Sequence, residues 1–152
     1  MIDLNFGPYA VRVNLERTRT YYALHPLPWV DCECPGCRNF TRAVKTLPQA
    51  VTGFYRKLGL DPLKPAEVCH YESLPDSVFT SAWYHVCGEL VKGGPVPGRH
   101  ERYGAMWNLA DGVSVACCSD CDLLPDNFPQ PCFQIEFWFE RLPWLLDEPN
   151  PY

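Results

Sequence analysis

From Cys132 onward the chain alternates with little error: Phe133, Ile135, Phe137 and Phe139 fall on one side of an extended segment, Gln134 and Glu136 on the other. A period of two is the pattern of a β-strand with one face in a core. Trp138 interrupts the polar side, so something is expected to cover that side where it stands. The same period, less regular, marks Glu67 to Tyr71, Val78 to Val91, Ala105 to Leu109 and Val113 to Cys118, and at the start Ile2 to Phe6 and Tyr9 to Val13. Gly7-Pro8 and Asp111-Gly112 are the turn signals between paired strands.

Between Asn14 and Gly59 the apolar spacing changes to three and four. Asn14 caps a helix over Leu15 to Leu24, with Tyr21 and Tyr22 packing back onto the sheet. His25-Pro26-Leu27-Pro28 ends it, because the residue before a proline is pushed out of the α region. Arg38 to Leu47 and Pro48 to Leu58 then carry Phe40, Val44, Leu47, Val51, Phe54, Tyr55 and Leu58 at helical steps, Pro48 being tolerated in a first turn and Gly59 serving as a C-terminal cap. Two strands, a helical block over about residues 38–58, and four or five further strands make the order of an α+β fold. Its sheet is expected to be mainly antiparallel, with the helical block packed on one face.

Length and charge narrow the functional classes. The 152 residues, 47% of them hydrophobic, suffice for a single domain over 1–152 with one core. Lys92-Gly-Gly-Pro-Val-Pro-Gly predicts a flexible loop at about 92–103, and the Pro-rich tail at about 142–152, apolar for a tail, is expected to dock on its own domain or meet a partner chain. A net charge of -5 argues against nucleic acid as a partner, which demands a basic face. The N-terminal residues lack the basic and apolar regions of a signal peptide, and no apolar run approaches the roughly 20 residues that span a bilayer. A cytoplasmic location without a membrane partner is therefore expected.

In a reducing compartment, nine cysteines read as buried small hydrophobes, metal ligands or a reactive thiol rather than as a disulfide framework. The densest stretch is Asp31-Cys-Glu-Cys-Pro-Gly-Cys-Arg-Asn-Phe, a knuckle with three cysteines in six positions. Cys34-Pro-Gly-Cys37 has the spacing that sets two thiolates about a tetrahedral edge apart, and Cys118-Ser-Asp-Cys121 repeats it some eighty residues later. Together Cys34, Cys37, Cys118 and Cys121 would supply the four ligands of a structural zinc, with Cys32, Cys69, His70, His85 and Cys87 as substitutes. The alternative is a thiol-dependent enzyme, redox or nucleophilic, using Cys37 with Cys34: a helix N-terminus and Arg38 beside Cys37 would favour its thiolate. No phosphate-cradling loop, Gly-x-Ser-x-Gly or His-Glu-x-x-His pattern occurs. The resulting expectation is a non-enzymatic binding module, stapled by zinc, that meets a protein or a small ligand, with Trp29, Trp83, Trp107, Trp138 and Trp144 as candidate contacts or core.

Cys-x-Cys-x-x-Cys-Arg-Asn-Phe at 32–40, Tyr84-His-Val-Cys-Gly88 and Asp120-Cys-Asp-Leu-Leu-Pro125 resemble a family of small uncharacterised proteins of Gram-positive gut bacteria. The resemblance runs over most of the chain. It implies a bacterial, cytosolic origin and carries no activity, cofactor or catalytic residue with it.

Overall fold

A computed structural model describes residues 1–26, 32–95 and 101–152. The hairpin expected at the start is present: β1, Ile2–Phe6, and β2, Tyr9–Val13, pair antiparallel through the turn at Gly7. Helix α1, Leu15–Leu24, starts on Asn14, whose Oδ1 accepts from the Arg17 N–H at 3.1 Å. Helix α2 covers Pro35–Ala43 and runs into a 3₁₀ turn at Val44–Thr46; α3 covers Gln49–Leu58 and ends on Gly59 in the left-handed region at φ 76°. The remaining strands are β3, Glu67–His70; β4, Ser77–Lys92; β5, Trp107–Ala110; β6, Val113–Cys118; and β7, Cys132–Pro143. All pairings are antiparallel, in the order β1-β2-β4-β7-β6-β5, with β3 also against β4. The architecture is α+β.

Helix α2 begins three residues before the expected Arg38. Pro35 has no N–H to satisfy and its fixed φ suits a first helical position, while Cys34 ahead of it stays extended and caps the turn with its sulfur. Strand β7 outlasts its alternation, because the backbone of Leu142 and Pro143 still pairs with Val78 and Ser77 at the start of β4.

The centre of the sheet is the long pair β4 and β7. In register, Val86, Tyr84, Ala82 and Thr80 stand beside Phe133, Ile135, Phe137 and Phe139, and all eight are buried. Onto this face α3 lays Phe54 and Tyr55, the latter stacked on Phe137 at 4.1 Å between ring centroids. The opposite face is closed in part by polar residues: Gln134 Oε1 accepts from the Asp122 N–H at 2.8 Å, and the Gln134 amide reaches the Tyr103 hydroxyl. Further along it, Trp138 is covered by Tyr71 and Phe79.

Helix α1 plays a different part. One side of β4 is paired by β3 through Thr80 to Trp83 and by β2 from Gly88 onward, which leaves a gap between them. Thr18 and Tyr22, the two buried residues of α1, fill it. The Tyr22 hydroxyl donates to the His85 carbonyl at 2.9 Å and accepts from the His85 N–H at 3.1 Å; Thr18 Oγ1 accepts from the Cys87 N–H at 3.1 Å. Two side chains four apart on a helix thus replace a missing strand, as they must if these buried backbone groups are to be satisfied.

The tail docks on its own chain. Asn39 of α2 donates to the Pro143 carbonyl at 3.0 Å and accepts from the Leu145 N–H at 2.7 Å, and Asn150 donates to Leu74 and Ser77 carbonyls. Residues 96–100 of the loop expected to be flexible, together with Trp29 and His100, lie outside the described residues.

Candidate metal centre

The entry to α2 gathers three thiols. Cys34, extended at the N-cap, turns its Sγ to accept from the Cys37 N–H at 3.4 Å, so the Cys-x-x-Cys turn folds both sulfurs onto one side. Cys32 Sγ completes the group, 3.5 Å from Cys34 Sγ and 3.3 Å from Cys37 Sγ. All three ligand atoms lie within 4.8 Å of one another, close enough to hold a metal ion. With metal–sulfur bonds of about 2.3 Å a tetrahedral edge is about 3.8 Å, so the spacing needs only a small expansion.

Around the thiols stand the tail and β3. The Gly36 N–H donates to the Tyr152 hydroxyl at 3.2 Å, and Tyr152 also bonds the Cys34 thiol. The His70 ring is 5.1 Å from that of Tyr152, and a Cβ on Gly36 would lie 2.4 Å from His70 Nε2, so only glycine fits between the two cysteines. His70 Nε2 is buried without a hydrogen-bond partner among the described residues, while Nδ1 lies 3.4 Å from Thr80 Oγ1. Burial holds this imidazole below its ordinary range, in the neutral form.

The electrostatics reverse the expectation for Cys37. Burial, then contact with the Cys32 and Cys34 thiols, pushes the Cys37 thiol well up. Burial also opposes ionisation of Cys34, but hydrogen bonds from the Cys37 N–H and from the Cys37, Cys32 and Tyr152 side chains outweigh it and leave that thiol below its usual value. Arg38, expected to favour a Cys37 thiolate, turns away to Glu148 and to the Glu33 carbonyl. A buried, protonated Cys37 is poorly suited to be a nucleophile.

The two Cys-x-x-Cys turns are not brought together. Gly36 packs on His70, which pairs with Thr80 and through it with Phe139; Cys118 pairs with Gln134, five residues along β7, or about 17 Å. Cys118 Sγ is instead 2.9 Å from the Asp120 carbonyl and bonds Arg102 and Tyr103. Cys121 Sγ faces Cys132 Sγ at 3.8 Å. Of the substitutes, Cys32 belongs to the group, His85 donates from Nε2 to the Asp122 carbonyl at 2.8 Å, Cys87 is buried against Thr18, and Cys69 is half-buried on β3. The part of Cys32 was legible in the Cys-x-Cys spacing, which places three sulfurs on one tight turn.

A cavity of about 260 Å³ lies elsewhere, bounded by Tyr21 and Tyr22 of α1, by His25 at its C-cap, by Lys64 and by Leu123 and Asn127. Four of the five tryptophans are described, and each is half-buried: Trp107 packs on Phe6 and Phe54, Trp138 on Tyr71 and Phe79, and Trp144 donates to the Glu148 carbonyl, while Trp83 stands opposite Glu136. No described helix is long and apolar enough to cross a membrane. Compared with protein-family models, with curated proteins and with solved structures, the chain matches none.

Proposed function

We propose that this protein is a non-enzymatic binding module of the bacterial cytoplasm whose knuckle is held by one structural zinc ion on Cys32, Cys34 and Cys37. The observation that carries the reading is the convergence of three thiols from six consecutive residues on one turn. Thiolates select zinc over hard cations, and closed zinc sites take three or four cysteines with histidine completing the set. The fourth position in this reading falls to His70, which lies outside the 4.8 Å group of three sulfurs and would have to turn toward them; one of its ring nitrogens is near Thr80 and the other is unpartnered among the described residues. Such an outer contact is the kind that orients a metal-bound imidazole. The ion would tie the start of α2 to β3 and hold Tyr152 and the tail against both.

A small ligand or a segment of a partner protein would be met at the cavity beside α1, whose walls are mainly aromatic and aliphatic with Lys64, His25 and His85 as polar points. The net charge of -5 keeps nucleic acid out of this reading.

Native mass spectrometry of untagged protein tests it. About one zinc per chain is expected, lost together with thermal stability in Cys37→Ser, reduced in affinity in His70→Ala, and retained in Cys121→Ser. Protein that carries no zinc, takes none up and melts identically with zinc or a chelator would overturn the reading.

A further inference from the structure

Cys121 and Cys132 take no part in the knuckle. Their Sγ atoms face each other at 3.8 Å, and both residues are half-buried. Cys121 opens the connection from β6 to β7 and Cys132 is the first residue of β7, so the pair brackets residues 122–131. We propose that this pair is a dithiol that a hydroperoxide converts to a disulfide, clasping the ends of that segment together.

The neighbouring thiols single the pair out. Cys117 is fully buried on the core face of β6. Cys118 is buried and held by the Asp120 carbonyl, Arg102 and Tyr103. Cys87 stands opposite Cys132 in register, but it is 1% exposed and bonded to Thr18. Against these, among the described residues Cys121 Sγ has only the Ser119 carbonyl at 3.8 Å as a hydrogen-bond partner besides its partner thiol, and Cys132 Sγ only Gln130 Oε1 at 3.5 Å. A disulfide requires about 2.05 Å between sulfurs, so each has under about 1 Å to travel, within reach of a loop side chain.

The step balances without a further reactant. The Cys132 sulfur attacks one peroxide oxygen, the O–O bond breaks, and Cys132 sulfenic acid and water or an alcohol result. The Cys121 sulfur then attacks the sulfenic sulfur, the S–S bond forms, and the sulfenic oxygen leaves as water with the Cys121 proton. Two electrons pass from the thiol pair to the peroxide.

The clasp has a local target. The bracketed segment carries Leu123, Pro125 and Asn127, which wall the cavity opposite Tyr21 and His25. One apolar anchor, Phe128 packed edge-on to Tyr21 at 4.4 Å, and two polar points hold it to α1 and its C-cap: the Asn127 amide is 2.9 Å from His25 Nε2, and Arg17 donates to the Gln130 carbonyl at 3.1 Å. Its ends are already held, Asp122 by Gln134 and His85 and Pro131 by the Gly88 N–H, and the disulfide adds a covalent tie that removes the remaining freedom of this wall of the cavity.

Treat the full, zinc-replete chain with hydrogen peroxide, block remaining thiols, and cleave on the N-terminal side of aspartate. Cutting at Asp122 and Asp126 separates the two cysteines. The expected result is one linked peptide pair, Cys121 to Cys132, that reduction splits, with amide exchange over 122–131 slowed severalfold in the oxidised form and restored by reduction. In Cys121→Ser, Cys132 is expected to stop at sulfenic acid and be trapped by a dione reagent. A bond from Cys132 to Cys87, over-oxidation without any bond, or both thiols still fully alkylated after the peroxide is consumed would each overturn the proposal. Because the readout is a bond at Cys121 and Cys132, its failure is separate from any failure of the zinc reading.

Discussion

Tyr22→Phe removes one oxygen and nothing else, yet that oxygen serves two groups of β4. It donates to the His85 carbonyl and accepts from the His85 N–H, both within 3.1 Å, at a fully buried position. Deleting it leaves an N–H and a carbonyl in the sheet gap without partners, and each unsatisfied buried group costs about 1–3 kcal/mol. The expected loss is therefore about 2–5 kcal/mol, against about 1 kcal/mol for Tyr55→Phe, which gives up a 3.3 Å bond to the Tyr84 hydroxyl while that hydroxyl keeps the Pro62 carbonyl at 2.8 Å. In a chain of this size, 1 kcal/mol moves the melting temperature by about 2–4 °C, so Tyr22→Phe should melt at least about 4 °C lower. Urea unfolding with unchanged m-value measures the free energy, and amide exchange at His85 and Cys87 locates it. A Tyr22→Phe protein within about 0.5 kcal/mol of the parent, with His85 still protected, would refute the account of α1 as a stand-in strand.

Three further outcomes are expected. Gly36→Ala places a Cβ 2.3 Å from the His70 ring and 2.7 Å from the Tyr152 hydroxyl, so it should release the tail and destabilise by about 1–3 kcal/mol, measurable as faster exchange over residues 144–152. Asn39→Ala leaves the Leu145 N–H and Pro143 carbonyl without their partner and should cost about 2 kcal/mol, whereas Asn→Ala at the exposed Asn5 should change stability little. The third concerns pH. Burial holds His85 below its ordinary value, only partly offset by the Asp122 carbonyl, Gln134 and the Asp122 charge, so the fold keeps it neutral. Above about pH 6.5 folded and unfolded chains are both neutral there; below it the unfolded chain takes up a proton that the fold refuses, until the lower folded value is reached. Stability should therefore decline as pH falls below about 6.5 and then level off, and His85→Gln should flatten that decline in urea titrations at stepped pH.

The strands were legible because each carries its own period: β1, β2 and β6 begin and end where alternation and the Gly7 and Gly112 turns place them. What could not be read is whatever depends on two distant pieces meeting. Tyr22 looks like any aromatic on a helix, and only the gap that β2 and β3 leave beside β4 makes its hydroxyl part of the sheet. The same limit explains the cysteines. A Cys-x-x-Cys spacing specifies how two sulfurs sit on one turn, but the strand register that separates Cys118 from the knuckle, and that seats Cys121 by Cys132, is set by β4, β6 and β7 together. The surroundings of Cys37 were hidden for a related reason: the helix N-terminus was legible, but the two further thiols and Tyr152 that the fold sets beside it, and that oppose a thiolate there, were not.

The long strands β4 and β7 both run through the interior of the sheet, while its free margins belong to β1, β5 and β3, which are five, four and four residues long. On β1 the margin also carries Asp3, paired with Arg12. A second copy approaching edge-on would find at most a few backbone groups to pair with, and a charge among them. Short, charged borders of this kind are how sheets resist accretion. The border strands thus offer little backbone for edge-to-edge pairing even though the central strands, exposed alone, would be strongly adhesive.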